Sequence, residues 1–254
     1  MAISEHQAAP TKPVRNEPQN SPKQGIMVRY ANLQQLKVSE MSVAEKYSFL
    51  TVEDYLKAEE SAKVRHEYID GRVFAMTGAN RRHNKIAGNI FAKLHSFLEG
   101  TRCTPFVHDM KVRVKVANCF YYPDVMVACD VAADDSVYTE EPVLIVEVLS
   151  ASTATIDRRE KLTNYLKIPT VREYLIVHQK RMQIECHRKC TDGSWIRTEY
   201  KHGDTIIFES LPGQLTVSVD AIYRNVFNED EIPEVREVEG DYDLSEDEAL
   251  ALDW

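Results

Sequence analysis

The hydrophobic pattern of this chain has a helical period in its first half. Over residues 80–98, apolar side chains recur at three- and four-residue spacing, namely Ile86, Ile90, Leu94, Phe97 and Leu98. This spacing predicts an amphipathic helix, and Gly100 is expected to end it. A shorter helix is predicted to begin after Thr51, a capping residue that Asp54 follows three positions later, and to run to about Ala62.

The pattern changes to that of strands after residue 100. Strands are predicted over residues 104–116, 119–129 and 143–149, and the last two are almost continuously apolar. Strands that are covered on both faces of a sheet have this composition. Residues 157–168 are predicted to form a helix that Pro169 stops.

The remaining elements complete a mixed order of helices and strands. Two further strands are predicted over 172–178 and 182–188, and a closing helix over 220–227. Earlier in the chain, Asp70 and Gly71 stand between two short apolar segments, a sequence typical of a β-hairpin. This order predicts an α+β fold with a mixed central β-sheet flanked by helices.

Charge is distributed unevenly over the 254 residues, whose formal net charge is −9. Residues 1–40 are rich in Pro, Gln, Asn and Ser and are predicted to be a disordered N-terminal arm. Residues 228–254 contain 12 acidic residues and one arginine and are predicted to be a disordered acidic tail. The folded domain is therefore expected over 41–227, where 25 cationic and 25 anionic residues balance. Within it, residues 81–115 hold 8 Lys/Arg, a region that fits either phosphate contact or an ordinary solvated surface.

Several classes of protein are disfavoured by the composition. The five cysteines include no Cys-x-x-Cys pair, so reduced, mostly buried thiols in a cytoplasmic protein are expected. Cys186 and Cys190 resemble half of a zinc site, but no second pair accompanies them. No apolar run is long enough for a membrane span, and no Gly-rich phosphate loop suggests an organic cofactor.

Two carboxylates stand in the most apolar segments of the chain. Asp124 lies in Tyr-Pro-Asp-Val-Met-Val, and Glu147 lies in Val-Leu-Ile-Val-Glu-Val-Leu-Ser. A carboxylate in such a segment is costly unless a metal or hydrogen bonds compensate it. Mg²⁺ (or Mn²⁺) is bound by carboxylate oxygens together with water and phosphate. Asp124 and Glu147 therefore predict a divalent-metal site for phosphodiester cleavage, and Lys161 shares a helical face with Asp157 close to it in sequence.

Each candidate also has a structural interpretation. Asp124 follows a proline and fits a turn, and Lys161 fits a surface lysine. Glu67 fits either the metal cluster or an ion pair with a neighbouring arginine. His83 fits either the site or a helix cap. Glu147 is the hardest of these residues to explain without a function, since an unpaired buried charge costs several kcal/mol.

The motifs together resemble a known group of nucleases. Tyr122-Pro123-Asp124 and Glu147-Val148-Leu149 resemble the PD-(D/E)XK nuclease superfamily. Over about residues 44–227, the chain is similar to the Uma-type restriction endonuclease family, on the following segments: Glu67-Tyr-Ile-Asp-Gly, Arg82-His83-Asn84, Asp109-Met-Lys111-Val-Arg113, Asp157 to Lys161, and Tyr165. The resemblance implies a restriction-endonuclease-like core, Mg²⁺-dependent cleavage of DNA and a homodimer.

The resemblance also implies roles for individual residues. Asp124 and Glu147 are expected to bind the metal, with Lys161 and Glu67 completing the catalytic set. The candidates for contact with nucleic acid are His83, Arg82, Lys111 and Arg113. In the superfamily pattern a lysine follows two residues after the glutamate, but this chain has Leu149 there.

Lys161 is expected to replace the missing lysine from the next helix. Leu149 also favours an alternative, in which the protein keeps the nuclease fold but serves as a nucleic-acid-binding or regulatory module without useful catalysis. A third alternative is an interaction protein that works mainly through its acidic tail.

Overall fold

The computed structural model describes residues 49–76, 78–129, 135–150 and 154–227. The predicted arm (1–40), the acidic tail (228–254) and the start of the predicted domain lie outside the described residues. In the part of the chain that is described, no helix has the length and apolar character needed to cross a membrane.

Two helices begin at side-chain caps, and the sequence predicted the one at Thr51. Helix α1 spans Val52–Glu60, and the Thr51 side chain accepts a hydrogen bond from the Asp54 N–H. Helix α2 spans Arg81–Leu98, and the Asn80 side chain caps it by accepting from the His83 N–H. The side chain in each case satisfies a backbone donor that the first helical turn leaves without a partner. Both predicted helices are confirmed.

The strands of the described residues fall into three sheets. In chain order they are β1 (His66–Ile69), β2 (Arg72–Ala75), β3 (Thr104–Val107), β4 (Lys111–Val114), β5 (Cys119–Tyr121), β6 (Val125–Ala128), β7 (Tyr138–Thr139), β8 (Pro142–Leu149), β9 (Glu173–His178), β10 (Gln183–Lys189), β11 (Trp195–Lys201), β12 (Thr205–Phe208) and β13 (Leu215–Ser218). The sheet orders are β2-β1-β5-β4-β7, β11-β10-β9-β8-β6-β3, and β12-β13. The predicted hairpin is β1–β2, with both Asp70 and Gly71 at positive φ.

The six-stranded sheet is covered on both faces, which explains its apolar strands. It is mixed, because β8 and β9 are parallel whereas the other strand pairs are antiparallel. One face packs against α2, through residues that include Ile86, Ile90, Val125 and Val146. The opposite face holds a second core cluster that includes Ile145, Tyr165, Tyr174 and Ile176. The fold is α+β with mixed sheets flanked by helices, as predicted.

The predictions of one strand over 104–116 and one strand over 119–129 are wrong. The first segment divides into β3 and β4, which belong to different sheets. The second segment divides into β5 and β6, which also belong to different sheets, and Tyr122, Pro123 and Asp124 connect them. Proline has no N–H to donate and fixes φ, so it interrupts strand pairing where apolar composition alone would continue it. Asp124 consequently lies at the junction of the two large sheets.

The two other predicted helices are corrected in their details. In place of a regular helix over 157–168, a helical segment consists of α3 (Ala154–Ile156), a π-helical turn (Asp157–Lys161) and α4 (Leu162–Tyr165). The closing helix α5 is shorter than predicted, spanning Val219–Ile222, and the Ser218 side chain caps it.

The expectation that all cysteines are reduced is also wrong. Cys103 and Cys129 form a disulfide. Cys103 immediately precedes β3 and Cys129 immediately follows β6, and Thr104 pairs with Ala128 in the antiparallel register. The two cysteines therefore face each other across neighbouring strands, a proximity between positions 26 residues apart that spacing alone does not reveal. Cys119, Cys186 and Cys190 are free.

Candidate active site

The pairing of β6 with β8 brings the two predicted metal ligands together. Val125 lies opposite Val146 in this antiparallel pair, so the register continued by one residue places Asp124 opposite Glu147. Residues directly opposite each other on antiparallel strands project from the same face with closely spaced Cβ atoms. Glu147 is buried, with 3% of its surface exposed, and the negative charge of Asp124 acts on it.

Lys161 places its ammonium group among three carboxylates. Its Nζ atom lies 2.8 Å from Glu67 Oε1, 3.1 Å from Glu147 Oε1 and 3.4 Å from Asp157 Oδ1. The side chain is 5% exposed, so the sequence alternative of a surface lysine does not describe it. We refer to Glu67, Asp124, Glu147, Asp157 and Lys161 as the carboxylate–lysine cluster.

The π-helical turn has a direct consequence for this cluster. It begins at Asp157 and ends at Lys161, and both side chains are buried. Isolated π-helical turns occur mostly within α-helices, often at functional sites. The turn directs both side chains toward the end of β8. The Lys161 ammonium thereby lies beside Glu147, where Leu149 supplies only an apolar side chain.

Burial and mutual charge set the ionisation of the lysine–glutamate pair. Burial raises the pKa of Glu147 well above its usual range, although the charge of Lys161 acts in the opposite direction. Burial also lowers the pKa of Lys161, but the carboxylates of Glu147, Glu67 and Asp157 outweigh this effect and raise it well above its usual range. Lys161 is thus a persistent cation. The Tyr165 hydroxyl also donates to Glu147 Oε1 over 3.0 Å.

Asp124 is held by hydrogen bonds from two different elements. Its Oδ2 atom accepts from the Val148 N–H at 2.7 Å, and its Oδ1 atom lies 2.7 Å from His83 Nε2. His108 Nδ1 lies 3.9 Å from the same Oδ1 atom. Strand β8, helix α2 and the loop before β4 together fix this carboxylate, which is therefore more than an ordinary turn residue.

The hairpin carries Glu67 into the site from the other sheet. A buried network anchors this hairpin, because Glu59 of α1 accepts from the His66 N–H at 2.9 Å and from the Tyr122 hydroxyl at 3.0 Å. Tyr122 is only two residues from Asp124. Helix α1 therefore ties the position of Glu67 to the connection that carries Asp124.

The four residues predicted to contact nucleic acid are placed differently from one another. His83 contacts Asp124, as described above. Arg82 lies over the ring of Phe227, with 5.1 Å from its Cζ atom to the ring centroid. Lys111 is buried, and its Nζ atom lies 5.3 Å from the centroid of the Tyr122 ring. Arg113 pairs with Glu140 at 3.3 Å. His83 is thus the one of these four that the structure brings into contact with the carboxylate–lysine cluster.

Three residues of the site were not predicted as functional from the sequence. Asp157 and Tyr165 lie in segments that supported the family resemblance, and the four-residue spacing of Asp157 from Lys161 was a usable signal. His108 carried no local signal, because its approach to Asp124 depends on how the loop between β3 and β4 folds back.

The donor chemistry suits a hard divalent cation. Within the described residues, no three His, Cys, Asp or Glu side chains are arranged as a ready-made metal cage. Mg²⁺, however, is usually held by only one or two carboxylates together with water and substrate phosphates. A bound cation would also favour the ionised form of Glu147, whose pKa burial raises, because a nearby opposite charge stabilises a carboxylate. Asp124 and Glu147 fit such a partial site.

Comparison with known proteins identifies the family of the chain. The Uma2 family model, described as "Putative restriction endonuclease", matches residues 52–220, a range that includes every member of the carboxylate–lysine cluster. The chain belongs to this family. The matched range also covers the disulfide and every strand of the three sheets.

Relatives of the chain include two proteins of Synechocystis sp., each described as an uncharacterized protein. The protein slr1290 is 33% identical over 178 residues, which cover 70% of this chain and 93% of the relative. The protein sll1609 is 32% identical over 162 residues, covering 63% of this chain and 92% of the relative. A crystal structure from Anabaena variabilis, titled as a "putative nuclease belonging to DUF820", superposes with a TM-score of 0.60 at 13% identity. It covers 70% of this chain and 99% of that chain. This last similarity shows a shared fold.

Proposed function

We propose that this Uma2-family chain is a metal-dependent endonuclease that hydrolyses phosphodiester bonds in DNA. The observation that carries the proposal is the buried Lys161 ammonium, which contacts Glu67, Glu147 and Asp157 close to Asp124. A structural ion pair needs one carboxylate, whereas here three carboxylates contact a single buried cation. Family membership supports the same reaction class.

Asp124 and Glu147 would hold the cation, Mg²⁺ or Mn²⁺. Lys161 and Tyr165 both contact Oε1 of Glu147, and among the described residues no hydrogen bond reaches its Oε2 atom. That oxygen is therefore the one that Glu147 can offer to a cation. When bound, the cation would activate a water molecule and offset charge on the scissile phosphate.

Lys161 would act as a fixed positive charge. Because its pKa is raised well above the usual range, the ammonium keeps its proton at neutral pH and is not available as a general base. It can donate hydrogen bonds to the attacking water or to a phosphate oxygen. This is the task of the lysine that Leu149 replaces in the strand.

His83 would be a positioning residue for Asp124. Its Nε2 atom lies 2.7 Å from Asp124 Oδ1, while its Nδ1 atom is buried and has no hydrogen-bond partner among the described residues. The ring is 7% exposed, so it supports the carboxylate from within the protein. The Val148 N–H holds the other carboxylate oxygen, and the two contacts leave Asp124 little freedom to rotate.

Cutting both strands of a duplex requires two active sites or two binding events. We extend the proposal to a homodimer, by analogy with other nucleases of this fold. Sedimentation or light scattering of the purified chain, with and without a DNA duplex, tests this part separately from catalysis.

The reaction is tested by incubating purified protein with supercoiled plasmid in Mg²⁺, Mn²⁺ or EDTA. We expect nicked or linear product with either metal and none with EDTA. Asp124→Ala and Glu147→Ala should each abolish cleavage while far-ultraviolet circular dichroism remains that of the folded protein. Exposed Glu141→Ala is the matched control and should cleave normally.

Two results would contradict the proposal. Cleavage that survives Asp124→Ala or Glu147→Ala would remove these residues from the reaction. Tight DNA binding without cleavage in either metal would instead support the alternative that Leu149 suggested, a nuclease fold used as a nucleic-acid-binding module.

A further inference from the structure

A second cluster of charged residues lies on the same row of the six-stranded sheet as Glu147. Glu147 pairs with Ile176 on β9, Ile176 pairs with Glu185 on β10, and Glu185 pairs with Glu199 on β11. Directly paired residues share a sheet face, and neighbouring strands are about 4.8 Å apart. Glu185 is therefore about 10 Å from Glu147 across two strand spacings.

Two arginine side chains and one histidine side chain converge on Glu185. Arg158 Nη2 lies 2.6 Å from Glu185 Oε1, His178 Nε2 lies 3.1 Å from the same atom, and Arg197 Nη2 lies 3.2 Å from Oε2. Burial alone would raise the pKa of Glu185, but hydrogen bonds from His178 and Arg158 and the charge of Arg197 lower it to about 2. Glu185 is thus a fixed anion that holds Arg158 and Arg197 in place.

The positive charge around Glu185 is larger than the negative charge of this single carboxylate. Arg197 is about half exposed and also contacts Glu199 at 2.5 Å. Arg181 is exposed, and its guanidinium lies 3.4 Å from His178 Nε2. Lys180, beside it in the same turn, is exposed as well. We refer to Arg158, Lys180, Arg181 and Arg197 as the basic rim.

The basic rim adjoins the carboxylate–lysine cluster at two points. Arg158 is the residue after Asp157 in the π-helical turn, so one turn directs one side chain to each cluster. The turn between β9 and β10 reaches the start of α2, where Asn80 Nδ2 donates to Gln179 Oε1 at 2.6 Å. Asn80 caps the helix that carries His83, the partner of Asp124.

We propose that the basic rim binds the phosphate backbone of a nucleic-acid strand whose scissile phosphate lies at the carboxylate–lysine cluster. The inference takes its substrate, DNA, from the proposed function. The position of the bound strand is inferred from the geometry of the basic rim. A separation of about 10 Å matches the axial rise of about three base pairs of B-form DNA, at roughly 3.4 Å per base pair along the helix axis. Arginine forks suit phosphate oxygens.

Binding of a fluorescent DNA duplex in EDTA tests the rim without any cleavage. Arg181→Gln/Arg197→Gln should weaken binding at low salt by tenfold or more. It should also reduce the slope of log affinity against log salt by up to about 2, since each lost phosphate contact contributes about 0.9. Lys180→Gln/Arg181→Gln, which leaves the contacts of Glu185 intact, should show a similar loss. Both double variants should keep the wild-type melting temperature within a few degrees.

Lys167→Gln/Arg172→Gln is the matched control, because both side chains are exposed and lie before the start of β9. The rim turn follows the other end of this six-residue strand, roughly 20 Å away. The control should bind DNA with the wild-type slope. Equal slopes for the control and both rim variants would overturn the proposal.

The experiments distinguish an error in the basic-rim proposal from an error in the nuclease proposal. A wild-type protein that cleaves plasmid, together with rim variants that bind normally, would refute the rim alone. A wild-type protein that cleaves nothing, together with rim variants that lose binding, would refute the nuclease assignment and retain the rim as a nucleic-acid surface.

Discussion

Replacement of Lys161 by methionine is the most informative single perturbation of this protein. Methionine keeps most of the length of the side chain but removes the charge that faces three carboxylates at 2.8, 3.1 and 3.4 Å. At an effective dielectric constant of about 20, each such contact is a gross attraction of roughly 5–6 kcal/mol. Desolvation of the buried ions offsets much of this sum.

The net effect should still be large. Breaking a buried ion pair by removing one partner typically costs about 3–5 kcal/mol, against a total stability of about 5–15 kcal/mol for a domain. We expect Lys161→Met to lower the free energy of unfolding by about 3–5 kcal/mol at neutral pH in EDTA. Mg²⁺ should restore part of this loss, because the cation would replace the missing positive charge beside Glu147 and Asp124. Plasmid cleavage should fall by at least a hundredfold even in saturating Mg²⁺.

The assay is urea unfolding followed by circular dichroism, with and without Mg²⁺, alongside plasmid cleavage. Lys167→Met is the control, since this exposed lysine makes one hydrogen bond to Asn164, of 3.3 Å, on the same helical segment. The Lys167→Met substitution should change the free energy of unfolding by less than about 0.5 kcal/mol. If Lys161→Met unfolded like this control and cleaved DNA at the wild-type rate, the ammonium would have neither the electrostatic nor the catalytic role assigned to it.

Three further predictions concern stability. Because the pKa of Glu185 is lowered to about 2, the stability it provides is present above about pH 4.5 and is lost as the pH falls toward 2. Glu185→Gln should remove up to about 3 kcal/mol of the unfolding free energy that the wild type loses between pH 4.5 and 2. Acid unfolding curves of the variant that matched the wild type would refute this prediction. Gly71→Ala should destabilise the protein by about 1–3 kcal/mol, because φ is +85° and the new Cβ would lie 2.4 Å from Phe49 Cβ. Gly88→Ala within α2, with no atom within 4 Å of the new Cβ, should instead stabilise by about 0.5–1 kcal/mol in thermal melts; two changes of the same sign would contradict this reasoning.

The sequence alone determined the elements that depend on local interactions. The caps at Thr51 and Asn80 and the positive-φ pair Asp70 and Gly71 act within a few residues of themselves, so their helices and hairpin were predictable. The apolar strand that surrounds Glu147 was also visible, because the cost of burying a charge marks such a residue in any context.

The tertiary structure decided which distant residues meet. Strand order cannot be derived from periodicity, so the assignment of β5 and β6 to different sheets became apparent only with the fold. The same is true of the disulfide between Cys103 and Cys129, and of the arrival of Glu67 at Lys161 from another sheet.

Charge in the sequence does not show which cations remain available to a nucleic acid. Residues 81–115 hold many cations, but Lys111 is buried beside the Tyr122 ring and Arg113 pairs with the partly buried Glu140. The cations of the basic rim come from a helical turn, the turn between β9 and β10, and strand β11, and pairing across β9, β10 and β11 assembles them. Local sequence records the number of charges, whereas long-range strand pairing decides which of them share a face with Glu147.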